Sequence, residues 1–596
     1  MQARDCPILD IALCGRMPGD TVTDAVPGDK HFDAVVIGSG FGGSVVAQRL
    51  AQKTRWRVLV LERGQPYAPG SFTRTPYGMR SNFWAPSEGK YGMFEAFSFK
   101  DLDVVVSSGL GGGSLIYANV MLRKDPSTFV REDPNEDGGE YWPVRYPELK
   151  KHYQKVEKLF DKPEPFPFER APYSTVPKAK AMREMGPKVG EVKVPNLAVR
   201  FSANGGDPAP GVPIRGGEKN FYGATRTTCR LCGECDVGCN YGAKSTLDFT
   251  CLWKAAKAGA KIRTCCEVET LEPAPNGTGY LVGYRQHIEA RKGHPERLLD
   301  PSPHRERVKV HADHVILAAG AIGTPRLLLE NRASLRHLSP ALGSRLSANG
   351  DYFAWIRNCR DEDGMWRYLE PSNGPVITTV IDVDANRSES GRGFYIEDAG
   401  APAFADWLWQ GLEFPGDLFR QRGLLIQQLT DRLRGRRDAS RSAMLAGMLG
   451  DANASAAMMP ILAMGRDVPG GQMSIGNGGL QLDWSEEPSE KYYEGIRHSL
   501  EKLAEALGGE VLTTPLDWLH RAITVHPVGG CAMSEDPRRG VVDSFGRVHG
   551  YEGLWVADGS VMPGPVGANP SLTIAALAHR FAGEMIREAR RMGKGR

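Results

Sequence analysis

The feature that most constrains the fold is a strand–glycine–helix–strand unit near the start of the chain. The β-branched run 32–37 is followed by the glycine turn 38–43, an apolar helix over 44–52 and a second apolar strand, 58–61, that ends at Glu62. Glycines in this pattern permit a tight turn and let the backbone approach a pyrophosphate, while the following acid binds ribose hydroxyls and disfavours a 2′-phosphate. The unit therefore predicts a Rossmann-like domain for FAD or NAD, with the candidate contacts Gly38, Gly40, Phe41, Gly43, Glu62 and Arg63.

Two further glycine clusters follow strands. Residues 109–115 come after the strand 103–106 and run directly into the apolar stretch 115–120, which indicates backbone packed against something flat rather than a hydrophilic linker. The run 315–320 leads into a helix over 326–330 and forms a second strand–glycine–helix unit. These clusters add the candidate cofactor-binding residues Gly109, Gly112, Gly113, Ser114, Asn119, Ala319 and Gly320.

The C-terminal stretch carries the candidate chemistry. His526 lies in a His-Pro-Val-Gly-Gly run, a short strand over 554–557 leads into Asp558 and Gly559, and Asn569-Pro570 precede an apolar helical run over 573–581. Asn followed by Pro predicts a helix start, and the positive end of that helix favours a negative charge in front of it. His526, Asp558 and the amides at Asn569 are thus expected to converge on a cofactor that is negative when reduced, as a flavin is.

Together these motifs resemble those of the glucose–methanol–choline (GMC) family of FAD oxidoreductases, and most of all its cholesterol oxidase branch. The resemblance runs from residue 32 to residue 582 in the family's order, with Tyr117 standing where many members have Asn. It implies an α/β fold in which a discontinuous Rossmann-like FAD-binding domain is joined to an α+β substrate domain built on an antiparallel sheet. The implied bounds are 31–130, 226–335 and 538–590 for the first domain, with a Cys-rich insert at 226–242, and 131–225 and 336–537 for the second.

The resemblance also implies the reaction. His526 would take or orient the hydroxyl proton of an alcohol as a hydride moves to the flavin, and Asn569 would bind the same oxygen; an imidazole has a suitable pKa for this. Val268 would contact the adenine, Pro570 would lie at the flavin, and Glu397 and Glu413 are candidates for a further carboxylate. The expected function is oxidation of a bulky lipophilic, steroid-like alcohol to a carbonyl. The alternatives are a flavin-dependent C–C desaturase or reductase, with His526 as an acid, and a non-catalytic electron-transfer protein.

Four of the eleven cysteines, Cys229, Cys232, Cys235 and Cys239, fall in one short run. Their spacing of two, two and three intervening residues matches the ferredoxin-type run for a 4Fe–4S or 3Fe–4S cluster, although Asn240 stands where ferredoxins have Pro. Structural zinc and four free thiols without metal are the alternatives. A cluster would make the enzyme a dehydrogenase that passes electrons to a redox partner, whereas without one dioxygen is the expected acceptor.

Composition narrows the remaining classes. A net charge of +3 gives no reason to expect a nucleic-acid partner, and uneven cysteines in so long a chain indicate a reducing cytoplasm rather than a disulfide scaffold. Residues 1–30 are interpreted as a flexible extension. The aromatic and Arg-rich segment 402–463 fits either a basic lid that touches a membrane surface or, as we favour, a helical pair that covers the substrate sheet.

Overall fold

The structure, a computed structural model, describes residues 30–130, 142–215, 220–275, 277–289, 297–298, 307–385, 388, 391–403, 453–476, 478–513 and 521–595. The expected N-terminal extension, the larger part of the segment 402–463 and Glu413 therefore lie outside the described residues. Among the described residues the α-helices are Phe41–Lys53, Pro76–Met79, Tyr146–Leu159, Pro177–Met185, Cys251–Lys257, Gly320–Glu330, Asn453–Ala456, Glu490–Leu507 and Ser571–Arg591. None of the helices in the described part of the chain is long and apolar enough to span a membrane.

The first sheet has seven strands and carries the glycine turns that follow strands His31–Ile37 and Val308–Leu317. From one edge to the other its strands are Lys261–Arg263, Val58–Leu61, His31–Ile37, Val308–Leu317, Tyr280–Gln286 and Cys266–Pro273, and Leu554–Val556 pairs with the end of Val308–Leu317. The strands that precede the predicted turns are parallel, and all four residues of Val58–Leu61 are buried, as expected for a strand covered on both faces. Parallel strands bring the turns that follow them to one edge of the sheet.

The second sheet has six strands, and every neighbouring pair is antiparallel. Its order is Glu510–Thr513, Tyr352–Arg357, Met459–Gly465, Phe394–Asp398, Val380–Val383 and Glu191–Lys193. Helix Glu490–Leu507 buries its apolar residues, among them Tyr492, Ile496 and Leu500, in the same core as this sheet. The expected fold, a discontinuous Rossmann-like region with an antiparallel substrate sheet, is confirmed.

A three-stranded sheet places two candidate segments side by side. Its strands are Phe94–Ser98, Leu102–Ser107 and Ala522–Thr524, and the last two pair in parallel. Because parallel strands end on the same side, the glycine cluster after Ser107 and His526 after Thr524 leave this sheet in the same direction. Two-stranded pairs complete the described strands: Trp84–Ala85 with Lys90–Tyr91, Glu164–Pro165 with Asn196–Leu197, Ile288–Glu289 with Arg297–Leu298, and Gln472–Gly476 with Gly479–Asp483.

Two predicted elements differ from those observed, each for a local reason. The helix expected over 326–330 begins at Gly320, because the turn that precedes it is shorter than the sequence suggested. The β-branched stretch 376–381 likewise predicts a strand, but the observed strand starts only at Val380. The amides of Thr378 and Thr379 bond to the buried Asp398 carboxylate, at 2.8 and 2.7 Å, instead of to a neighbouring strand.

The start of the first helix tests how tightly the glycine turn is packed. A Cβ added at Gly42 would lie 1.5 Å from the Ala557 carbonyl oxygen, so Gly42→Ala must push the helix away from the strand end. We expect it to lower the free energy of unfolding by about 2 kcal/mol or more, as overpacking of a dense core does. Gly470→Ala is the matched control, since its added Cβ meets nothing within 4 Å. Equal thermal melting temperatures for the two variants would contradict this packing.

Candidate active site

The predicted glycine turns meet one another in the structure. A Cβ added at Gly38, whose φ is +98°, would lie 2.3 Å from the Ala318 carbonyl oxygen, and one added at Gly112 would lie 2.8 Å from the Cα of Gly40. By contrast, a Cβ added at Gly40 or at Gly320 would meet nothing within 4 Å. The turns are therefore pressed together on one side while these two glycines face open space. That is a cradle suited to a flat, phosphate-bearing group.

Glu62 holds the first turn in place. Its carboxylate accepts hydrogen bonds from the Ser39 amide and hydroxyl, at 3.0 and 2.6 Å, and from the Gly64 amide at 2.9 Å. The Ser39 hydroxyl also accepts from the Gly111 amide at 3.0 Å, which joins the first turn to the second. Glu62 thus organises the cradle through protein contacts, in addition to the ribose contact predicted for it.

Asp558 likewise holds the third glycine turn, the one that follows strand Val308–Leu317, by accepting hydrogen bonds. One carboxylate oxygen accepts from the Gly320 amide at 2.9 Å and the Thr324 hydroxyl at 2.6 Å, and the other accepts from the Ser560 amide at 2.9 Å. Asp558 is 5% exposed. It therefore couples the strand end at 554–556 to the start of helix Gly320–Glu330.

The other predicted cofactor residues lie around these turns, with two exceptions. Ala319 and Pro570 sit at the N-cap positions of helices Gly320–Glu330 and Ser571–Arg591, and the Ser114 hydroxyl donates to the Gly111 carbonyl at 2.7 Å. A Cβ added at Gly43, Gly109 or Gly559 would contact a neighbouring residue, and a Cβ added at Gly113 would contact the Phe41 ring. Arg63 instead pairs with Glu95 and lies over the Trp84 ring, and Val268 lies beside a register shift of its strand.

Among the buried side chains of the described residues that carry polar atoms without protein partners, three are candidate site residues. Asn119, with φ of +72°, has neither amide atom hydrogen-bonded, and one oxygen is unbonded in each of Asn569 and Glu397. Buried polar atoms are almost always hydrogen-bonded, so such a group marks a place where a ligand supplies the bond. Together with the glycine cradle, these atoms fit a bound flavin and its substrate. Tyr117, by contrast, donates its hydroxyl to the Ser245 carbonyl at 3.1 Å and faces the protein.

His526 is held from behind by a carboxylate that the sequence analysis missed. Its Nδ1 lies 2.9 Å from one oxygen of the fully buried Asp351. The other oxygen accepts from the Thr524 hydroxyl and from the amides of Val525 and His526, at 2.9, 2.9 and 3.1 Å. Because a carboxylate only accepts, Nδ1 carries the proton and Nε2 is the basic nitrogen. Asp351 is 175 residues away in sequence, and no motif marked it.

Asn569 bonds to a carboxylate rather than to its own helix. Helix Ser571–Arg591 begins later than the Asn-Pro pair suggested, with Pro570 at its N-cap and no side-chain cap bond. The Asn569 amide nitrogen instead donates to Glu397 at 3.3 Å. Glu397 comes from strand Phe394–Asp398 and is fully buried, so this candidate carboxylate does lie beside Asn569.

Burial and charge shift the pKa values of this group. Burial raises the pKa of the Glu397 carboxyl to about 8, so it is mostly protonated at neutral pH. Burial alone would lower the pKa of His526, but the charge and hydrogen bond of Asp351 outweigh this effect and raise the pKa. Electrostatic interactions also link His526 with Glu397 and Asp236, so these three side chains belong to one site.

The four clustered cysteines surround a cavity of their own. Their side chains line a space of about 20 Å³ together with Lys244, Gly374 and other residues. Burial, then the charge of the neighbouring Cys235, raises the pKa of Cys229 well above its usual value and that of Cys232 to about 12. Among the described residues, no three of these sulfurs lie within 4.8 Å of one another. The cysteines thus share one cavity but are more widely spaced than the ligands of a single ion.

The fold and this site define a flavin-type oxidoreductase with two sheets. Comparison with protein-family models identifies the family: the N-terminal GMC oxidoreductase model matches residues 32–349, and the C-terminal GMC oxidoreductase model matches residues 479–578. The chain belongs to the GMC oxidoreductase family, and it is an FAD-dependent enzyme that acts on alcohol (CH–OH) donors.

Individual relatives support the same assignment. The chain is 28% identical to a cholesterol oxidase of Acinetobacter baumannii over 92% of this chain and 93% of that protein. It is 29% identical to a cholesterol oxidase of Mycobacterium tuberculosis, over 92% and 90%, and 24% identical to a long-chain-alcohol oxidase of Arabidopsis thaliana, over 92% and 65%. An FAD-dependent oxidoreductase from Chaetomium thermophilum shares the fold, with a TM-score of 0.55 and 15% identity over 94% of this chain and all of that one. Pyridoxine 4-oxidase from Mesorbium loti does so with 0.52 and 17%, over 93% and 98%.

The Asp351–His526 contact predicts a pH effect. Asp351→Asn removes the charge that raises the pKa of His526, so the pH below which alcohol oxidation fails should move to lower values. The maximal rate should fall about tenfold, because an amide can also donate to Nδ1 and favour the wrong tautomer. The measurement is the pH dependence of anaerobic flavin reduction by an alcohol. Asp382→Asn, which removes a partly exposed carboxylate of the second sheet, is the control. An unmoved acid limb in Asp351→Asn would count against the contact.

Proposed function

We propose that this protein oxidises the hydroxyl of a bulky lipophilic, steroid-like alcohol to a carbonyl. The observation that carries the proposal is a His526 imidazole, fixed from behind by Asp351, in one electrostatic site with the buried Asn569–Glu397 pair. Glu397 comes from strand Phe394–Asp398 of the second sheet, and Asp351 directly precedes strand Tyr352–Arg357 of the same sheet. His526 follows strand Ala522–Thr524 of the three-stranded sheet, and Asn569 precedes helix Ser571–Arg591. The unbonded oxygens of Asn569 and Glu397 supply hydrogen-bonding groups to a substrate oxygen.

The proposed roles follow from the chemistry of each side chain. Bound FAD supplies the acceptor for the hydride that leaves the alcohol carbon. The Nε2 atom of neutral His526 accepts the hydroxyl proton, while Asp351 holds the ring in the required tautomer and stabilises the imidazolium that forms. Asn569 bonds the substrate oxygen and orients the hydroxyl toward His526. Because the hydroxyl must lose its proton as the hydride leaves the carbon, a basic nitrogen together with an amide that binds the same oxygen suits alcohol oxidation.

The substrate class rests on the relatives and on the second sheet. Two of the relatives are named for cholesterol and long-chain alcohols, both large and lipophilic. Strand Met459–Gly465, which lies next to the strand of Glu397, is buried along its whole length and is mostly apolar. We propose that the substrate domain, residues 131–225 and 336–537, presents an apolar surface to the substrate beside the FAD-binding domain of 31–130, 226–335 and 538–590.

The proposal also covers the electron acceptor and the cellular location. Dioxygen or a protein redox partner reoxidises the flavin, the latter through an iron–sulfur cluster at Cys229, Cys232, Cys235 and Cys239. None of the nine described cysteines forms a disulfide, which supports a reducing, cytoplasmic location. A peripheral contact with a membrane would suit a lipophilic substrate, although the Arg-rich segment proposed for it lies outside the described residues.

Substitution of the two proposed catalytic residues tests the roles. His526→Ala or Asn569→Ala should retain FAD, measured by flavin absorbance, and lower the rate of alcohol oxidation by roughly a hundredfold, because general acid–base assistance is lost. His498→Ala is the matched control, since His498 is exposed on helix Glu490–Leu507. Wild-type rates in both variants would remove His526 and Asn569 from the mechanism.

The substrate class is tested by anaerobic reduction of the bound flavin. A panel of sterols, hydroxysteroids, long-chain alcohols and short alcohols should bleach the flavin only with the bulky lipophilic members, and each should yield the matching ketone or aldehyde. An alkene product would favour a C–C desaturase. A flavin that no alcohol in the panel reduces would favour an electron-transfer protein and overturn the proposal.

A further inference from the structure

We infer that Cys229, Cys232, Cys235 and Cys239 are the ligands of an iron–sulfur cluster built into this chain. The site stands on its own geometry, whereas its use as an exit for electrons rests on the proposed alcohol oxidation. Spacing alone left zinc and free thiols as alternatives, and the structure adds four observations that bear on them.

The first observation is that the loop folds around a common cavity. All four cysteines line it, and the backbone reaches this shape through left-handed conformations at Leu231, Gly233 and Gly238, with φ of +58°, +64° and +87°. Leu231 is a branched residue in a conformation that costs free energy, so the packing around the loop imposes it. Two backbone hydrogen bonds also join the loop to the segment that precedes strand Val380–Val383. The Gly233 amide donates to the Gly374 carbonyl at 2.8 Å, and the Gly374 amide donates to the Leu231 carbonyl at 3.0 Å.

The second observation is that backbone amides face the sulfurs. The Leu231 amide donates to the Cys229 sulfur at 3.4 Å, and the amides of Glu234 and Val376 donate to the sulfurs of Cys232 and Cys235. Such N–H···S bonds stabilise anionic sulfur, and in iron–sulfur proteins they are one of the means by which the protein sets the cluster potential. Neutral thiols in an apolar pocket would gain little from them.

The third observation is a buried cation beside the cavity. Lys244 is 1% exposed, and its ammonium donates to the carbonyls of Leu115, Tyr117 and Cys235 at 2.9, 3.0 and 2.8 Å. Within the described chain no carboxylate forms an ion pair with it, and the charges of Asp236 and Asp248 act on it only from a longer distance, yet a buried charge is stable only when it is compensated. Four thiolates bound to an iron–sulfur core carry a net negative charge and would supply that compensation next to Lys244.

The fourth observation separates this cluster from zinc. A tetrahedral ion with zinc–sulfur bonds of about 2.3 Å holds its four sulfurs within about 4 Å of one another. No three of the described sulfurs in this cavity come within 4.8 Å of one another. A core of several iron and sulfide ions spans a larger space, so the wider spacing fits a cluster better than a single ion.

The position of the cysteine loop beside the cofactor cradle suits a role of the cluster in electron transfer. Lys244 ties the cysteine loop to Leu115 in the turn Gly112–Leu115, which packs against Gly40 of the cofactor cradle, and Asp236 inside the loop is close enough to influence His526. Oxidation of one alcohol to a carbonyl releases two electrons and two protons. A cluster takes up one electron at a time, so it would pass these electrons in two steps to an external one-electron carrier, and the protons would leave through His526 and solvent.

Metal analysis of the full-length protein, purified without oxygen, is the direct test. We expect three or four iron atoms and a similar amount of acid-labile sulfide per chain, together with an electron paramagnetic resonance signal of a cluster in the oxidised or the dithionite-reduced protein. Zinc at one atom per chain without sulfide, or no metal at all, would overturn the inference. These readouts need no substrate, so a positive result followed by no reduction of the cluster by any alcohol would count against the proposed function alone.

Variants locate the site. Cys232→Ala and Cys235→Ala should each lower the iron and sulfide content at least tenfold, whereas Cys359→Ala, a buried cysteine in the core of the second sheet, should keep the wild-type content. Flavin absorbance reports whether each variant has folded. Full iron and sulfide in the two loop variants would place the cluster elsewhere and overturn the assignment. If either loop variant fails to fold, the metal content of the unaltered protein still decides the question.

Discussion

Buried carboxylates that accept hydrogen bonds from turns are the interaction on which the site depends. Glu62 fixes the first glycine turn, Asp558 fixes the third, and Asp351 fixes the loop of His526. Each accepts at least two backbone amides from segments that have no regular secondary structure to satisfy them. A carboxylate buried in this way is stable only because the amides replace its water, and the amides in turn are held at fixed positions. The cradle and the base are therefore positioned by the same kind of contact.

The local units of this fold could be predicted from the sequence, because each combines a strand, a turn and a helix within a few residues. The strands 32–37 and 58–61 and the helix over 44–52 lie within a few residues of their predicted bounds. The failures occur where a distant side chain decides the local structure. Asp398 takes the amides that would have lengthened the strand before Val380, and this contact is not visible in either segment alone.

The same distinction applies to the candidate site. His526, Asn569 and the glycines belong to short motifs, so they could be proposed as candidates from the sequence alone. Asp351 belongs to no motif and acts through a contact that spans 175 residues, and Glu397 was one of two candidates that the sequence could not separate. What distinguishes Glu397 is that its strand of the antiparallel sheet brings it within hydrogen-bonding distance of Asn569. That position depends on the register of strands far apart in the chain.

The charges of the site are arranged for a reaction that leaves negative charge on the flavin. A second anion beside it would oppose hydride transfer, but burial keeps Glu397 largely protonated near neutral pH. The positive end of helix Ser571–Arg591 lies next to Asn569, where it favours the negative charge that develops. The Asp351 carboxylate is directed at His526, where in the proposed mechanism it stabilises the imidazolium formed by proton transfer. In that mechanism one carboxyl stays neutral near the reacting atoms, while the other lies behind the proposed base.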